Sequence, residues 1–207
     1  MSKAKAALPA KKWTLERVLP WLLVLAGVIG TTCACVIMFD KLQILKDPDY
    51  VVSCDINPII SCGSVMRSDQ AEAFGFPNPF LGLIGFPIVA TVGTAMLAGA
   101  RFKRWFWVCV QLGLLFAVGF VHWLFFQAVY RINALCPWCM VVWTVSIASF
   151  WYVLLYNLQT GVIKTPDACR RFVAFIRRHH LDILVAWYLI ITVLILKHFW
   201  YYFGTLI

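Results

Sequence analysis

Charged residues are scarce in this chain, at 13% of its 207 residues, against about 25% in a typical soluble domain. Only nine residues are acidic and four are histidine, whereas 62% are hydrophobic. This composition excludes a soluble globular protein and predicts an integral membrane protein. The sequence also lacks internal repeats and, apart from the basic start "MSKAKAALPAKK", low-complexity segments. One compact helical bundle is therefore expected.

Five stretches with little or no charge predict membrane-spanning helices, each of which needs about 20 apolar residues. Four of them are clear and cover residues 18–39, 80–100, 105–130 and 137–156. The fifth, residues 183–196, is too short unless it continues toward Phe203, with the Lys197 side chain reaching the membrane interface. We therefore expect an all-α integral membrane protein, in which a four-helix bundle carries an appended fifth transmembrane helix.

The basic residues predict how these helices are oriented. Thirteen of the 18 Lys and Arg residues precede the first span or lie in the connections 101–104 and 157–182, which the positive-inside rule places in the cytoplasm. The loop 40–79 carries six acidic and three basic residues and is expected outside, as is the C-terminus. The net charge of +9 is thus an orientation signal, and nucleic-acid binding is not expected.

These features divide the chain into four parts. Residues 1–17 are a basic cytoplasmic N-terminus, and residues 18–157 are a four-helix core whose outer loop, residues 40–79, carries a surface helix. Residues 158–182 form a cytoplasmic loop, and residues 183–207 are the fifth transmembrane helix with an outward C-terminus.

A C-x-x-C pair opens the fourth predicted span. Pro137 suits the first position of a helix, so Cys136 lies at or next to the N-cap, where unpaired N–H groups and the helix dipole favour its thiolate. Cys139 lies on the same face, about 4.5 Å deeper. The pattern favours a redox pair over an inert disulfide, and a zinc site would need two further ligands.

A second outward pair, Cys54 and Cys62, lies in the polar loop, where disulfides are permitted if the compartment is oxidising. Their spacing fits either a small disulfide or a mobile dithiol that relays electrons to the inner pair through mixed disulfides. The other four cysteines are interpreted as packing or reduced residues without a part in turnover: Cys33, Cys35, Cys109 and Cys169.

A spaced set of loop residues accompanies the pair Cys136 and Cys139: Cys54-Asp55-Ile56, Ser61-Cys62-Gly63-Ser64-Val65, Ser68, Phe74-Gly75, Asn78 and Gly82. Together these residues resemble the vitamin K epoxide reductase (VKOR) family over residues 18–157. The resemblance implies a four-helix bundle that encloses a quinone. The fifth helix is similar to the bacterial branch of the family, and a chain that stops at Ile207 implies a homologue without a fused thioredoxin-like domain.

The resemblance also implies the function. We expect a thiol–quinone oxidoreductase of the bacterial cytoplasmic membrane that reoxidises a separate DsbA-like thioredoxin-fold partner outside the cytoplasm. Cys136 and Cys139 match the active-site pair, with Cys139 nearest the quinone. Cys54 and Cys62 match the loop pair, in which Cys62 exchanges with Cys136 and Cys54 meets the partner. The quinone is expected to be of the menaquinone, ubiquinone or vitamin K type.

Other positions acquire roles through the same resemblance. Asp55 and Ser68 match residues near the redox centre, although Asp55 also fits an ordinary loop acid and Ser68 the N-cap of a short helix over residues 69–74. Asn78 matches an asparagine that hydrogen-bonds a quinone carbonyl, although Asn-Pro also suits a plain helix entry. The expected quinone contacts further include Phe80, Leu81 and Trp143.

The sequence leaves alternatives open for the reaction, for the class of protein and for the role of one histidine. Trp143 stands where the animal enzymes have a tyrosine, so quinone reduction is favoured over reduction of vitamin K epoxide. In the DsbB-type enzymes, which have similar net chemistry, the C-x-x-C follows the first helix, whereas here it opens the fourth. A thiol-rich metal-binding membrane protein is an alternative from another class. His122, in the third span, fits either a proton relay or a satisfied interior polar group.

Overall fold

The computed structural model describes residues 15–204, and most of them are helical. Most of the predicted basic N-terminus therefore lies outside the described residues. In chain order, the α-helices are α1 (Leu15–Lys46), α2 (Cys62–Arg67), α3 (Pro79–Leu97), α4 (Arg104–Gln127), α5 (Pro137–Gln159), α6 (Arg170–Arg178), α7 (His180–His198) and α8 (Trp200–Phe203). Short 3-10 turns cover Asp69–Glu72 and Asp167–Cys169, and a π-turn covers Ala128–Ile132.

Five of these helices are long and apolar enough to cross a membrane: α1, α3, α4 with its π-turn, α5 and α7. They coincide with the five predicted spans, which confirms the predicted fold class. The fifth begins earlier than predicted, at His180, and α8 follows it instead of a continuous run to Phe203. The earlier start was not predicted, because the first turn of this helix carries the charged residue Asp182. Asp182 lies 2.8 Å from His179 Nδ1, and an acidic residue in the first turn stabilises a helix.

Helix α1 is longer than its apolar run. It continues to Lys46, so Asp40 and Lys41, which were predicted to lie in the outer loop, belong to the helix. Both are buried, and each is paired with a group from the segment that follows the helix. Charged residues can end up in such a buried stretch because partners compensate for their loss of water.

Helix α1 is also central, since it packs against both α3 and α5. Small residues allow α1 and α3 to approach closely. A Cβ atom on Gly27 would lie 2.5 Å from the backbone nitrogen of Ala90, and one on Gly93 would lie 2.7 Å from the carbonyl oxygen of Pro20. Close backbone contact through small residues is a usual way for transmembrane helices to associate. Helix α4 packs on α5 instead, which leaves a space between α3 and α4.

Helix α7 is attached to the core by polar contacts. Trp187 Nε1 donates to His122 Nε2 at 2.9 Å, and Tyr188 donates to the carbonyl oxygen of Thr144 at 2.8 Å. The other ring nitrogen of His122 lies 2.7 Å from the carbonyl oxygen of Val118. Both nitrogens are therefore engaged, which agrees with a satisfied interior group and leaves no free nitrogen for a proton relay.

Candidate active site

Two distant segments meet at the end of the bundle where α5 begins, which we call the thiol end. Ile60 and Leu135 form a parallel bridge, in which Leu135 N donates to the carbonyl oxygen of Ile59 at 2.6 Å and Ser61 N to that of Leu135 at 3.0 Å. Cys136 follows Leu135 directly, and Cys62 follows Ile60 two positions later. The bridge therefore holds a cysteine of the loop pair beside one of the C-x-x-C pair.

The four predicted redox cysteines come together at this end. Cys54 and Cys62 form a disulfide, whereas Cys136 and Cys139 are free thiols. All four belong to or pack against one buried cluster, which also contains Ile37, Val52 and Met66. The structure thus holds an oxidised outer pair and a reduced inner pair in one buried, apolar cluster.

The inner pair sits as predicted at the start of a helix. Cys136 is the N-cap of α5, and its sulfur accepts a hydrogen bond from the backbone nitrogen of Cys139 at 3.4 Å. The hydrogen bond from the Cys139 thiol lowers the pKa of Cys136, although burial opposes this shift. Thiolate is the reactive form of cysteine, so Cys136 is prepared to attack a neighbouring disulfide.

Asp55 organises the backbone around Cys62. Its Oδ1 accepts from Ser61 Oγ at 2.9 Å and from Gly63 N at 2.8 Å, on either side of the cysteine. A Cβ atom on Gly63 would lie 2.5 Å from Asp55 Oδ2, so glycine is what permits this close approach. Asp55 therefore fixes where α2 begins and how Cys62 is presented, and a direct part in catalysis stays a prediction.

Residues 62–78, which comprise α2, the 3-10 turn and the segment before α3, form a cap over the thiol end. Ser68 occupies the predicted N-cap position of the following turn, but its side chain makes no capping hydrogen bond. Its hydroxyl donates instead to the carbonyl oxygen of Val65 at 2.7 Å. The predicted helix over residues 69–74 is too long, because only Asp69–Glu72 forms a 3-10 turn.

Asn78 ties the cap to the start of α3. Its Nδ2 donates to the carbonyl oxygen of Gln70 at 2.7 Å, and its Oδ1 accepts from the backbone nitrogen of Ala73 at 3.1 Å. The cap also reaches α4, where the ring of Phe74 lies 5.3 Å from that of Phe120, measured between centroids. The cap therefore bridges α3 and α4.

A cavity of about 570 Å³ lies beneath the cap, between α1, α3, α4 and α5. This volume is within the range of small-molecule sites. Cys136 and Cys139 both line it, as do Ser68 and Asn78. The remaining lining is mostly apolar, with a few further polar side chains: Lys41, Gln70, Gln127 and Ser146.

The three other predicted contact residues differ in position. Leu81 and Trp143 line the cavity. Phe80 is not among the described lining residues; its side chain is 43% exposed and its ring packs edge-on against that of Phe76. Successive residues of a helix point about 100° apart, so Leu81 faces the cavity and Phe80 faces away. The structure thus gives no support to a contact through Phe80.

Trp143 carries an unused hydrogen-bond donor. The residue is 5% exposed, and its indole Nε1 has no partner among the described residues. A buried donor without a partner costs about 1–3 kcal/mol, and a carbonyl-bearing ligand in the cavity would satisfy it. Trp143 and the apolar walls therefore fit a quinone.

Most of the cavity lining was not predicted, including Lys41 and Cys109. Lys41 was assigned to the loop because it follows the apolar run of the first span, and only the length of α1 shows that it faces the cavity. Cys109 was interpreted as a packing residue, but it is exposed and lines the cavity wall on α4. Its place in an uncharged span gave no signal of this, because cavity-facing and lipid-facing residues are equally apolar there.

Comparison with known proteins supports the same assignment. The model of the vitamin K epoxide reductase family matches residues 21–154, a range that contains both cysteine pairs and every described residue of the cavity lining. A search of the curated proteins returned no match. The chain therefore belongs to the vitamin K epoxide reductase family, whose members are quinone-dependent thiol–disulfide oxidoreductases.

Proposed function

We propose that this chain reoxidises a DsbA-like thioredoxin-fold protein outside the cytoplasm and passes the electrons to a membrane quinone. The route runs from the partner to Cys54 and Cys62, then to Cys136 and Cys139, and then to the quinone. Its net result is disulfide formation in extracytoplasmic proteins. The observation that carries the proposal is a disulfide packed against a reduced pair that itself lines a cavity of quinone size.

The loop around Cys54 is suited to receive a protein partner. Cys54 is 8% exposed, whereas Cys62 is fully buried. Val51 and Ile56 flank Cys54 in sequence and are 76% and 70% exposed. Exposed apolar side chains next to a reactive disulfide are typical of an interaction surface. These features support entry of electrons at Cys54 and their transfer inward through Cys62.

The inner pair then completes the transfer. After the partner has reduced the outer pair, the Cys62 thiolate attacks Cys136 of the oxidised inner pair; a Cys62–Cys136 mixed disulfide forms and the Cys139 thiolate leaves. Cys54 then attacks Cys62, which regenerates the Cys54–Cys62 disulfide and releases the Cys136 thiolate. The inner pair is left as two thiols beside the outer disulfide, and these two thiols are the ones that reduce the quinone.

A quinone in the cavity would supply the terminal electron acceptor, which takes up two electrons and two protons. Asn78 and Trp143 would hold its polar head through their N–H groups, and the walls of α3 and α4 would contact its apolar part. Cys139 is half-buried and lines the cavity, so its thiol can face this acceptor. The carbonyl that these groups would bind is common to menaquinone, ubiquinone and vitamin K, so the site fits each of them.

The location of the site supports an extracytoplasmic active site in a bacterial cytoplasmic membrane. Helix α5 runs from the thiol end to Gln159, so the basic segments 101–104 and α6 lie at the opposite end of the bundle. The positive-inside rule assigns that opposite end to the cytoplasm.

The function is tested with the purified chain in detergent, a reduced thioredoxin-fold protein and a soluble quinone analogue. We expect the quinone absorbance to fall by one equivalent for each disulfide formed, and no reaction with the C136A variant. A wild-type chain that forms disulfides without consuming quinone would contradict the proposal.

Asn78→Ala is expected to raise the KM for the quinone about two- to tenfold, because one hydrogen bond is worth roughly 0.5–1.5 kcal/mol. The rate of thiol exchange with the partner should change less. The measurement is initial rate against quinone concentration at saturating partner. Gln159→Ala is the control, since this exposed amide lies at the end of α5 opposite to the thiol end and away from the cavity lining. An unchanged KM in Asn78→Ala would remove this residue from the quinone site.

A further inference from the structure

Lys41 is a buried cation in the wall of the cavity. Its side chain is 8% exposed, and it is the one charged residue among the described residues that line the cavity. Ile37 and Ala34, one and two turns earlier on α1, line the same wall. Lys41 thus continues the cavity-facing stripe of α1 to the level of the cap.

The ammonium group is held by two contacts from the cap. Its Nζ donates to the carbonyl oxygen of Met66 at 2.7 Å and lies 2.9 Å from Glu72 Oε1. An ammonium has three N–H donors, so one remains without an acceptor among the described residues. Burial of a charge is costly even when it is paired, and a neutral side chain would suffice to hold the Met66 carbonyl. The position therefore calls for a role that uses the charge or the proton.

The chemistry proposed for the cavity needs such a proton donor. Oxidation of two thiols to a disulfide releases two electrons and two protons, and reduction of a quinone consumes the same numbers. The two oxygens of a para-quinone lie at opposite ends of its ring, so the thiol at Cys139 serves only one of them. Glu72 is 39% exposed and connects Lys41 to the solution.

We propose that Lys41 Nζ is a proton donor of the quinone cavity and that Glu72 replaces its proton from the solution. This inference rests on the proposed function, namely quinone reduction in this cavity. In each turnover one thiol proton goes to the nearer oxygen and the other to the solution. Lys41 gives its proton to the second oxygen and regains one through Glu72. Two protons are thus released and two consumed, while both electrons come from Cys136 and Cys139.

Other groups around this end of α1 contribute to its electrostatics. The titratable and charged side chains on the elements packed there include, besides the Lys41–Glu72 pair, Asp40 and Lys46 on α1, Asp47, Asp49, Tyr50 and Asp55 in the loop, Arg67 on α2, Asp69 on the 3-10 turn, and Cys136 and Cys139 at the start of α5. Arg67 is directed away from the pair, since its guanidinium donates to the carbonyl oxygens of Pro48 and Tyr50. Glu72 is the acid within contact distance of Lys41.

The test compares K41Q, K41R and E72Q with K46Q, a change of an exposed lysine at the end of the same helix. Three quantities are measured: quinone-dependent turnover between pH 6 and pH 8, equilibrium binding of the quinone analogue, and reduction of the Cys54–Cys62 bond by dithiothreitol. The last two report on folding and on the site without relying on turnover.

In K41Q we expect turnover to fall at least about tenfold and to decline with rising pH, because the proton then comes from the solution. In K41R the analogue should still bind within about twofold of the wild type, but turnover should stay low, since a guanidinium does not release its proton. E72Q should lower turnover less, and K46Q should behave as wild type. All variants should keep the reduction rate of the outer disulfide.

Recovery of turnover in K41R would show that Lys41 acts as a fixed charge or a structural contact, and would overturn the inference, as would wild-type turnover in K41Q. Failure of the proposed function gives a different result, because the wild-type chain itself would then reduce no quinone.

Discussion

Replacement of Cys139 by alanine is expected to arrest the enzyme with a disulfide between Cys62 and Cys136. Without Cys139, the Cys136 thiol can form a disulfide only by exchange with the Cys54–Cys62 bond, and no neighbouring thiol attacks Cys136 to release Cys62 again. The bridge between Ile60 and Leu135 keeps the two sulfur-bearing segments side by side, which favours the trapped bond. Quinone-dependent turnover should fall to the background rate.

The trapped bond is detected by digestion without reductant and mass analysis of the peptides, which should contain Cys62 linked to Cys136. Cys109→Ala is the matched control. Cys109 also lines the cavity but lies on α4, away from the relay, so this variant should keep turnover and show no such bond. Absence of the Cys62–Cys136 link in Cys139→Ala would mean that the inner pair does not exchange with Cys62.

Much of this fold could be predicted because a membrane imposes simple rules on sequence. The apolar runs gave the five spans, since an uncharged stretch of about 20 residues has few other stable environments. The position of Cys136 at the N-cap of α5 followed from Pro137, because proline suits the first turn of a helix. These features depend on local sequence alone.

Features that depend on distant partners were not predicted. Lys41 is buried near the end of α1, and Met66 and Glu72, which lie 25 and 31 positions later, satisfy its ammonium group. Ser68 occupies the predicted N-cap position, but its hydroxyl donates to the carbonyl oxygen of Val65 instead of accepting from the turn that follows. Hydrophobicity could not place Phe80 and Leu81 on their correct faces, because lipid and cavity wall favour the same residues.

The two cysteine pairs illustrate the same distinction. The C-x-x-C motif is a local pattern, and its helix start was read from four residues. The proximity of Cys62 and Cys136 depends on a bridge between two segments about 75 positions apart. The spacing of the cysteines gives no signal of this bridge, and only the family resemblance implied that the two residues exchange. The loop disulfide lies between these two cases. Cys54 and Cys62 are close in sequence, but their pairing requires the turn that Asn57 organises.

The second large effect is expected at the outer pair. In Cys62→Ala, Cys54 remains as a thiol without its disulfide partner. We expect it to form a stable covalent complex with a thioredoxin-fold protein that has a single active-site cysteine, activated as a mixed disulfide with thionitrobenzoate. Cys54 displaces the thionitrobenzoate and forms the interprotein disulfide. No neighbouring Cys62 is present to reverse it, so the complex accumulates.

Cys54→Ala is the opposite variant and should form little complex, because the remaining thiol, Cys62, is fully buried and lies at the start of α2 beside Cys136. The yield of complex is read from a non-reducing gel, and release of thionitrobenzoate gives the rate. We expect the rate for Cys62→Ala to exceed that for Cys54→Ala at least about tenfold, which corresponds to roughly 1.4 kcal/mol in activation free energy. Equal rates would show that electrons enter at either cysteine, and a faster reaction in Cys54→Ala would reverse the proposed order of the relay.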